Sequence, residues 1–138
     1  MHMQGTPETM QNNPSYKEGI IVNLKSFFSE RLETLSSMGM DPESICFDPG
    51  IGFGKTVEHN IELLRHLNEI QDEQKRPLLL GVSRKSIIDK LLDIEVAEKR
   101  DYATAAITAL AYSAGVRIHR VHNVMANIQS LRMAEVCC

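Results

Sequence analysis

The sequence has little cysteine, and its cysteines are poorly placed for cross-linking. Only three of the 138 residues are cysteine, and two of them, Cys137 and Cys138, are adjacent at the end. An odd count with this placement excludes a disulfide framework and provides no C-x-x-C metal pair. We therefore expect a reducing, cytoplasmic setting in which the cysteines are structural or incidental.

Long apolar runs and a large excess of charge are also missing. No apolar run approaches the length of a membrane span, and the first residues, MHMQGTPE, lack the basic and apolar regions of a signal peptide. The formal net charge of −3 offers no attraction to nucleic acid or to an anionic membrane. With 43% hydrophobic and 24% charged residues, one globular domain is expected.

Three glycines lie within nine residues in DPGIGFGKT (48–56), but their spacing excludes the two standard phosphate loops. A Walker A loop that ends at Gly54-Lys55-Thr56 needs its first glycine at position 49, where Pro49 stands. The dinucleotide pattern G-x-G-x-x-G fails because the third glycine comes one position early. The segment is therefore predicted to be a loop with another purpose.

Apolar periodicity predicts a helix over 17–38 followed by three strand–helix units. The predicted strands are SICFD (44–48), PLLLGV (77–82) and VRIHRV (116–121). The predicted helices that follow them start near Val57, cover 84–92 and 101–114, and begin again after Asn123, which is placed as a cap. This alternation is typical of parallel strands joined by right-handed crossovers.

Polar residues follow each predicted strand at its C-terminal end. Asp48 ends the first strand, Ser83-Arg84-Lys85-Ser86 follows the second, and Arg120-Val121-His122-Asn123 follows the third. Each residue alone has an ordinary explanation, such as a turn cap, a solvated lysine or a surface histidine. Three coincident strand ends favour a ligand site, because α/β sheets and barrels bind ligands at that edge.

The residue types at these strand ends suit a flat heterocycle that carries phosphate. Asp48 offers two neighbouring acceptors for a ligand edge with adjacent N–H donors, such as an amino-pyrimidinone ring. Lys85 can donate to ring carbonyl or nitrogen acceptors. Arg120 can stack on the ring while its edge contacts an anion, and His122 with the helix start at Asn123 adds donors for pyrophosphate.

Four motifs resemble the second half of the dihydropteroate synthase family, in the same order and at fitting separations. They are MHMQGTP (1–7), DPGIGFGKT (48–56), SRKS (83–86) and RVH (120–122). The resemblance implies an α/β fold of the (β/α)8 TIM-barrel family. This chain would cover about the C-terminal half, from the end of strand five to helix eight, as a partial pterin-binding domain over 1–138.

The implied activity belongs to folate biosynthesis. It condenses 6-hydroxymethyl-7,8-dihydropterin pyrophosphate with p-aminobenzoate to give 7,8-dihydropteroate and pyrophosphate. By resemblance, the catalytic residues are Lys85, Arg120 and His122. Resemblance also assigns the pterin to Asp48, Gly52, Lys85 and Arg120, the pyrophosphate to Arg120 and His122, and p-aminobenzoate to Phe53 and Ser86. It implies Mg²⁺ as cofactor, held by a residue of the N-terminal half and by none in this chain.

Two departures from the family pattern leave alternatives open. Asn123 stands where the family usually has Asp, and the chain is roughly half of a barrel of about 250 residues. We therefore expect an inactive fragment that forms a homodimer or needs a complementing N-terminal half. The alternatives are a non-catalytic pterin-binding half-barrel, a split-enzyme partner, or a pterin-binding methyltransferase domain. SRKS together with RVH favours the synthase.

Overall fold

Six α-helices and two short strands make up the regular structure of the part of the chain that is described. The computed structural model describes residues 1–137, and at 72–74 the backbone alone, so the expectation for Cys138 lies outside the described residues. The helices are α1 (Ile20–Ser37), α2 (Val57–Arg65), α3 (Leu67–Gln74), α4 (Ser86–Leu92), α5 (Asp101–Ser113) and α6 (Val124–Cys137). The strands are β1 (Leu79–Leu80) and β2 (Ile118–His119), and short 3-10 helices lie at Pro42–Ser44 and Ala97–Arg100.

The sheet is parallel, as the alternating pattern predicts. β1 pairs with β2 in a register that places Leu79 opposite Ile118. On the other side of β1, Phe47 forms a single parallel bridge with Leu78. Parallel pairing of segments that are separated by helices confirms the predicted strand–helix alternation.

The strands are shorter than predicted. SICFD is reduced to the bridge at Phe47, PLLLGV to β1, and VRIHRV to β2. Pro77 limits the ladder because it has no N–H and offers only its carbonyl oxygen, 2.9 Å from the Phe47 nitrogen. Among the described residues, neither outer edge of this arrangement has a neighbouring strand that would extend the hydrogen-bond ladder.

One face of α1 packs against α2, α3 and Phe47 and forms part of the core. Ile20, Leu24 and Phe28 recur at helical spacing and are completely buried. Phe28 stacks on Phe47, with ring centroids 4.3 Å apart and ring planes 11° from parallel. This contact joins the first helix to the segment that leads into the glycine loop.

Two predicted helices have different boundaries in the structure. The helix predicted over 17–38 begins only at Ile20, because Gly19 before it has a φ of 86°. The helix predicted after the glycine loop divides into α2 and α3, because His66 leaves the helical conformation with φ −116° and ψ 24°. Local backbone conformation at one residue decides each boundary.

The last two helices form as predicted. The Asn123 side-chain oxygen accepts a hydrogen bond from the Ala126 backbone nitrogen at 3.1 Å, which confirms that Asn123 caps α6. The helix predicted over 101–114 is α5, and it packs along α6. No described helix is long and apolar enough to cross a membrane.

Candidate functional site

The segments that follow β1 and β2 meet in one cleft at the C-terminal edge of the sheet. Its volume is about 210 Å³, and it is lined by Gly81, Ser83, Lys85, Arg120, Val121 and His122. Asp48 adjoins the cleft, because its carboxylate accepts a hydrogen bond from the Arg120 guanidinium at 3.1 Å. The structure therefore brings together four residues that sequence analysis selected, namely Asp48, Lys85, Arg120 and His122.

Asp48 keeps unused acceptor capacity although it is only 8% exposed. Its Oδ1 accepts from the Gly50 backbone nitrogen at 2.8 Å, and its Oδ2 accepts from Arg120 Nη2 at 3.1 Å. A carboxylate has about four lone-pair sites, so each oxygen can accept one further hydrogen bond. The two free sites suit a ligand that presents two neighbouring N–H groups.

Gly81 makes room for Arg120, and sequence analysis did not select it. A Cβ atom at Gly81 would lie 2.6 Å from Arg120 Nη2 and 3.1 Å from its Cζ, so any side chain there would displace the guanidinium. The signal was an isolated glycine inside the apolar run PLLLGV, which marks a close approach of another group. Arg120 itself is 60% exposed in its side chain and free to meet a ligand.

Lys85 reaches across to the glycine loop. Its amine donates a hydrogen bond to the Ile51 carbonyl oxygen and lies 4.5 Å from the centroid of the Phe53 ring. Burial lowers the pKa of Lys85 to about 8, with Asp48 opposing this change and Arg120 reinforcing it. Lys85 is thus held between the glycine loop and the cleft.

The segment SRKS is not helical at its start, contrary to the helix predicted over 84–92. Arg84 has a left-handed φ of 58° and Lys85 is extended, so α4 begins only at Ser86. The Arg84 guanidinium turns away from the cleft and binds Asp101 through two contacts of 2.8 and 2.9 Å. Arg84 therefore anchors the turn to α5, while Lys85 is left to face the cleft.

Both polar atoms of the Asn123 side-chain amide form hydrogen bonds with other protein groups. Its nitrogen donates to Asp101 at 3.1 Å, and its oxygen caps α6. Asp101 therefore joins Arg84 and Asn123, which follow different strands. The side chain that departs from the family pattern stabilises the junction of the two strand-end segments.

Lys55, the lysine that completes the Walker-like ending, is a structural residue. It is 4% exposed, and its amine lies 2.9 Å from His2 Nδ1 and 3.0 Å from the carbonyl oxygens of Gly50 and Phe53. Burial lowers the pKa of Lys55 to about 7. The amine closes the glycine loop on itself and on the first residues, so it is not available to a phosphate. Sequence analysis missed this role.

Gly52 is held from both sides by side chains that sequence analysis did not select. Its N–H donates to Asn60 Oδ1 at 2.7 Å, and its carbonyl oxygen accepts from Gln11 Nε2 at 2.7 Å. Asn60 is 3% exposed on α2. Since its N–H is engaged, Gly52 can offer a ligand open space but no donor.

Ser86 lies outside the main cleft. It lines a small adjoining pocket together with Gln11, Gly52, Lys55, Val57, Asn60, Ile87 and Lys90. Phe53 lies on the loop between the two, beside Lys85. Of the two residues that the resemblance assigns to p-aminobenzoate, Phe53 therefore contacts Lys85 and Ser86 lines a pocket that His122 does not line.

The comparisons with known proteins decide the family. The pattern of the family described as pterin binding enzyme matches residues 1–122. The chain belongs to the pterin-binding enzyme family. Within that match lie the glycine loop, the SRKS segment and the cleft residues Arg120 and His122.

Relatives of this chain are dihydropteroate synthases. It is 41% identical over 135 residues to the dihydropteroate synthase of Neisseria meningitidis serogroup C, covering 98% of this chain and 47% of that protein. Its structure matches the Yersinia pestis dihydropteroate synthase with a sulfonamide drug complex at a TM-score of 0.94 and 34% identity, over 99% of this chain and 48% of that one. It also matches the Xanthomonas albilineans dihydropteroate synthase in complex with 7,8-dihydropteroate at a TM-score of 0.88 and 32% identity. That match covers 99% of this chain and 48% of the other.

The matches confirm the resemblance to dihydropteroate synthase and the TIM-barrel fold. The chain spans about half the length of the relatives that it matches, so it covers only part of that barrel. In the described part of the chain, no group of three or more His, Cys, Asp or Glu side chains could hold a metal ion.

We expect the stability of the chain to fall in acid because of His2. Burial, and then the nearby Lys55, lower the pKa of His2 to about 4, so the folded state opposes its protonation. The unfolded chain binds the proton first, and the free energy of unfolding should drop by roughly 2–3 kcal/mol as the pH falls from about 6.5 to about 4. Urea unfolding at a series of pH values would measure this drop. His2→Gln should have a flatter pH profile, and identical profiles for both proteins would contradict the prediction.

Proposed function

We propose that this chain forms the C-terminal half of a dihydropteroate synthase barrel and acts in folate biosynthesis as part of one pterin-binding domain. The reaction joins 6-hydroxymethyl-7,8-dihydropterin pyrophosphate to p-aminobenzoate and releases pyrophosphate. The observation that carries this proposal is the cleft at which Asp48, Lys85, Arg120 and His122 meet. The named relatives, all of them synthases of this kind, support it.

The pterin ring would bind at Asp48. Two acceptor sites on a carboxylate that is 8% exposed suit the adjacent N–H groups of an amino-pyrimidinone, because burial strengthens such hydrogen bonds. Lys85 would donate to the ring carbonyl or a ring nitrogen, since its amine already lies at the edge of the cleft. The Arg120 guanidinium, lying over Gly81, is placed to stack on the face of the ring.

The pyrophosphate would bind at Arg120 and His122. In the reaction the amine of p-aminobenzoate forms a C–N bond with the pterin methylene and loses one proton. The C–O bond to pyrophosphate breaks, and its electron pair leaves with pyrophosphate. Negative charge therefore develops on the leaving group, and fixed donors stabilise it most at that stage. Arg120 is exposed enough to reach this group, and His122 lines the same cleft.

The p-aminobenzoate would approach from the glycine-loop side. Phe53 lies on that loop beside Lys85, and Ser86 lines the adjoining pocket with Gly52. A Cβ atom at Gly52 would already meet Lys85 Cδ at 3.5 Å, so the glycine leaves space beside Lys85. The amine would thus reach the methylene from the side of Phe53 and Ser86.

The residues outside these 138 would complete the enzyme. Mg²⁺ would be held by a residue of the N-terminal half, as the family resemblance implies. We also propose that the chain pairs with a complementing half or with a second copy of itself. Exposed apolar side chains on α5 and α6 support association, among them Leu110, Met125, Met133 and Val136.

Chain length supports a second candidate, a pterin-binding half-barrel without catalytic activity. Both candidates share the Asp48 site, and they differ in turnover once the barrel is complete. A pterin-binding methyltransferase domain remains the third alternative. Among these, the synthase alone requires donors for a leaving pyrophosphate, and the cleft offers Arg120 and His122.

A chimeric barrel would test the proposal. The N-terminal half of the Neisseria meningitidis relative would be fused to residues 1–138, and the soluble product assayed for dihydropteroate from pterin pyrophosphate and p-aminobenzoate. We expect turnover with release of pyrophosphate. A folded chimera that binds pterin without turnover would favour the non-catalytic half-barrel instead.

In the same chimera, Arg120→Ala should weaken binding of pterin pyrophosphate more than binding of free pterin. Loss of charge-assisted hydrogen bonds to the pyrophosphate should cost about 1.5–3 kcal/mol, roughly 10- to 150-fold in affinity, with a smaller loss for the free ring. Isothermal titration with both ligands would measure this. Arg117→Ala, which removes the same charge from an exposed side chain packed on Tyr112, is the control. Equal losses for both ligands would contradict the double role of Arg120.

A further inference from the structure

Ser83 is a buried hydroxyl whose described contacts all go to one residue of the cleft. It is 7% exposed and follows β1, whereas His122 follows β2. Its Oγ lies 2.8 Å from His122 Nδ1 and 3.1 Å from the His122 backbone nitrogen. Sequence analysis selected the SRKS segment but gave Ser83 no function of its own.

The two contacts favour one placement of the protons. A backbone N–H can only donate, so Ser83 Oγ accepts from the His122 backbone. The hydroxyl has one proton of its own, and His122 Nδ1 is the acceptor that the described residues place within reach. When Ser83 donates to Nδ1, that nitrogen is unprotonated and the neutral ring has its proton on Nε2.

We infer that Ser83 is a positioning residue that holds His122 in the Nε2-protonated tautomer, so that the ring presents an N–H donor to the cleft. Pyrophosphate oxygens accept hydrogen bonds and a lone pair on Nε2 would repel them, so the tautomer decides whether a neutral His122 can bind the anion. The use of that donor rests on the proposed function. The assignment of the tautomer rests only on the contacts of Ser83.

A merely structural Ser83 would join the two strand-end segments without changing the ring. In that case the removal of the hydroxyl would lower stability and leave the tautomer as it was. If Ser83 positions the ring, removal of its hydroxyl should change the tautomer, because Nδ1 then has no donor and can itself be protonated. The two roles are therefore separated by the protonation of the ring nitrogens, which nuclear magnetic resonance observes directly.

The experiment uses the 138-residue chain labelled with ¹⁵N at histidine, at a pH where the imidazoles are neutral. The His122 signals would be assigned by their loss in His122→Gln. We expect one protonated nitrogen, Nε2, and one unprotonated nitrogen, Nδ1, in the unmodified chain. Ser83→Ala should show a mixture of both tautomers, whereas Ser83→Thr, which keeps a hydroxyl, should retain the original pattern. Ser37→Ala, at an exposed hydroxyl at the end of α1, controls for loss of any serine.

A protonated Nδ1 in the unmodified chain would overturn the inference, and so would an unchanged tautomer in Ser83→Ala. If Ser83→Ala does not fold, the unmodified chain and Ser83→Thr still decide, because both must show a protonated Nε2. Inorganic pyrophosphate titrated into the same proteins supplies a second readout. Ser83→Ala should bind it about 3- to 10-fold more weakly, as expected for one lost hydrogen bond, while Ser83→Thr should bind it normally.

The two readouts separate failure of this inference from failure of the proposed function. A tautomer that depends on Ser83, in a chain that binds no pyrophosphate, would support the role of Ser83 and contradict the pyrophosphate site. If Ser83→Ala binds pyrophosphate with unchanged affinity and keeps the same tautomer, the pyrophosphate site is supported and the role of Ser83 is contradicted.

Discussion

The purified 138-residue chain is expected to form no measurable dihydropteroate from pterin pyrophosphate and p-aminobenzoate. It spans about half the length of the synthases that it matches. Two paired strands and one bridge cannot close a barrel, so the cleft keeps one open side. Catalysis depends on donors held rigidly around the reacting atoms, which an open half-site does not provide.

Addition of a separately expressed N-terminal half from a relative should restore turnover if the two halves assemble. Sedimentation of the chain with and without that half would show whether a complex forms, and the same samples would be assayed for product. The 138-residue chain with Lys85→Ala, mixed with the same N-terminal half, is the control, because any turnover that it shows comes from contaminating synthase. Robust turnover by the pure 138-residue chain would refute the prediction.

In a completed barrel, Asp48→Ala should weaken binding of the pterin by about 2–4 kcal/mol, roughly 30- to 1000-fold in affinity. Asp48 is the buried carboxylate that would pair with the ring N–H groups, and its removal leaves those donors without their partner at a buried position. Lys85→Ala should cause a loss of the same size, because ring acceptors then lose a charged donor. Titration with free pterin would measure both.

Asp48→Asn sharpens this test because it keeps the shape of the side chain. One acceptor oxygen becomes an NH₂ group, which faces the N–H edge of the ring and repels it, so affinity should still fall by more than tenfold. Asp93→Asn removes the same charge at an exposed residue with a φ of 52°, a conformation that asparagine tolerates well, and should leave affinity unchanged. Pterin affinity in Asp48→Asn equal to that of the control would exclude Asp48 from the site.

Local patterns determined the helices and their ends to a large extent. The spacing of Ile20, Leu24 and Phe28 predicts the buried face of α1, and Asn123 predicts the start of α6. These features depend on contacts between residues within about four positions of each other, so the local sequence is enough to predict them. The turn at Arg84 was missed, because its left-handed conformation depends on Asp101, seventeen positions later.

The sequence alone also predicted that the polar residues of the candidate site lie at one edge of a sheet. Strand–helix alternation places successive strand ends side by side, so Asp48, Lys85 and His122 could be predicted as neighbours. The glycine spacing also excluded a Walker loop at Lys55, but it did not show why Lys55 cannot bind a phosphate. Its amine is buried against His2, which precedes it by 53 residues.

Only the tertiary structure decided what each polar group contacts. The pairing of Arg120 with Asp48 joins residues 72 positions apart, and that of Ser83 with His122 joins residues 39 positions apart. The close approach of Arg120 to Gly81 likewise depends on the register of β2 against β1. A hydrogen bond forms only within a few tenths of an ångström of its ideal length, and such distances between remote residues are set by strand register and helix packing, which no local pattern specifies.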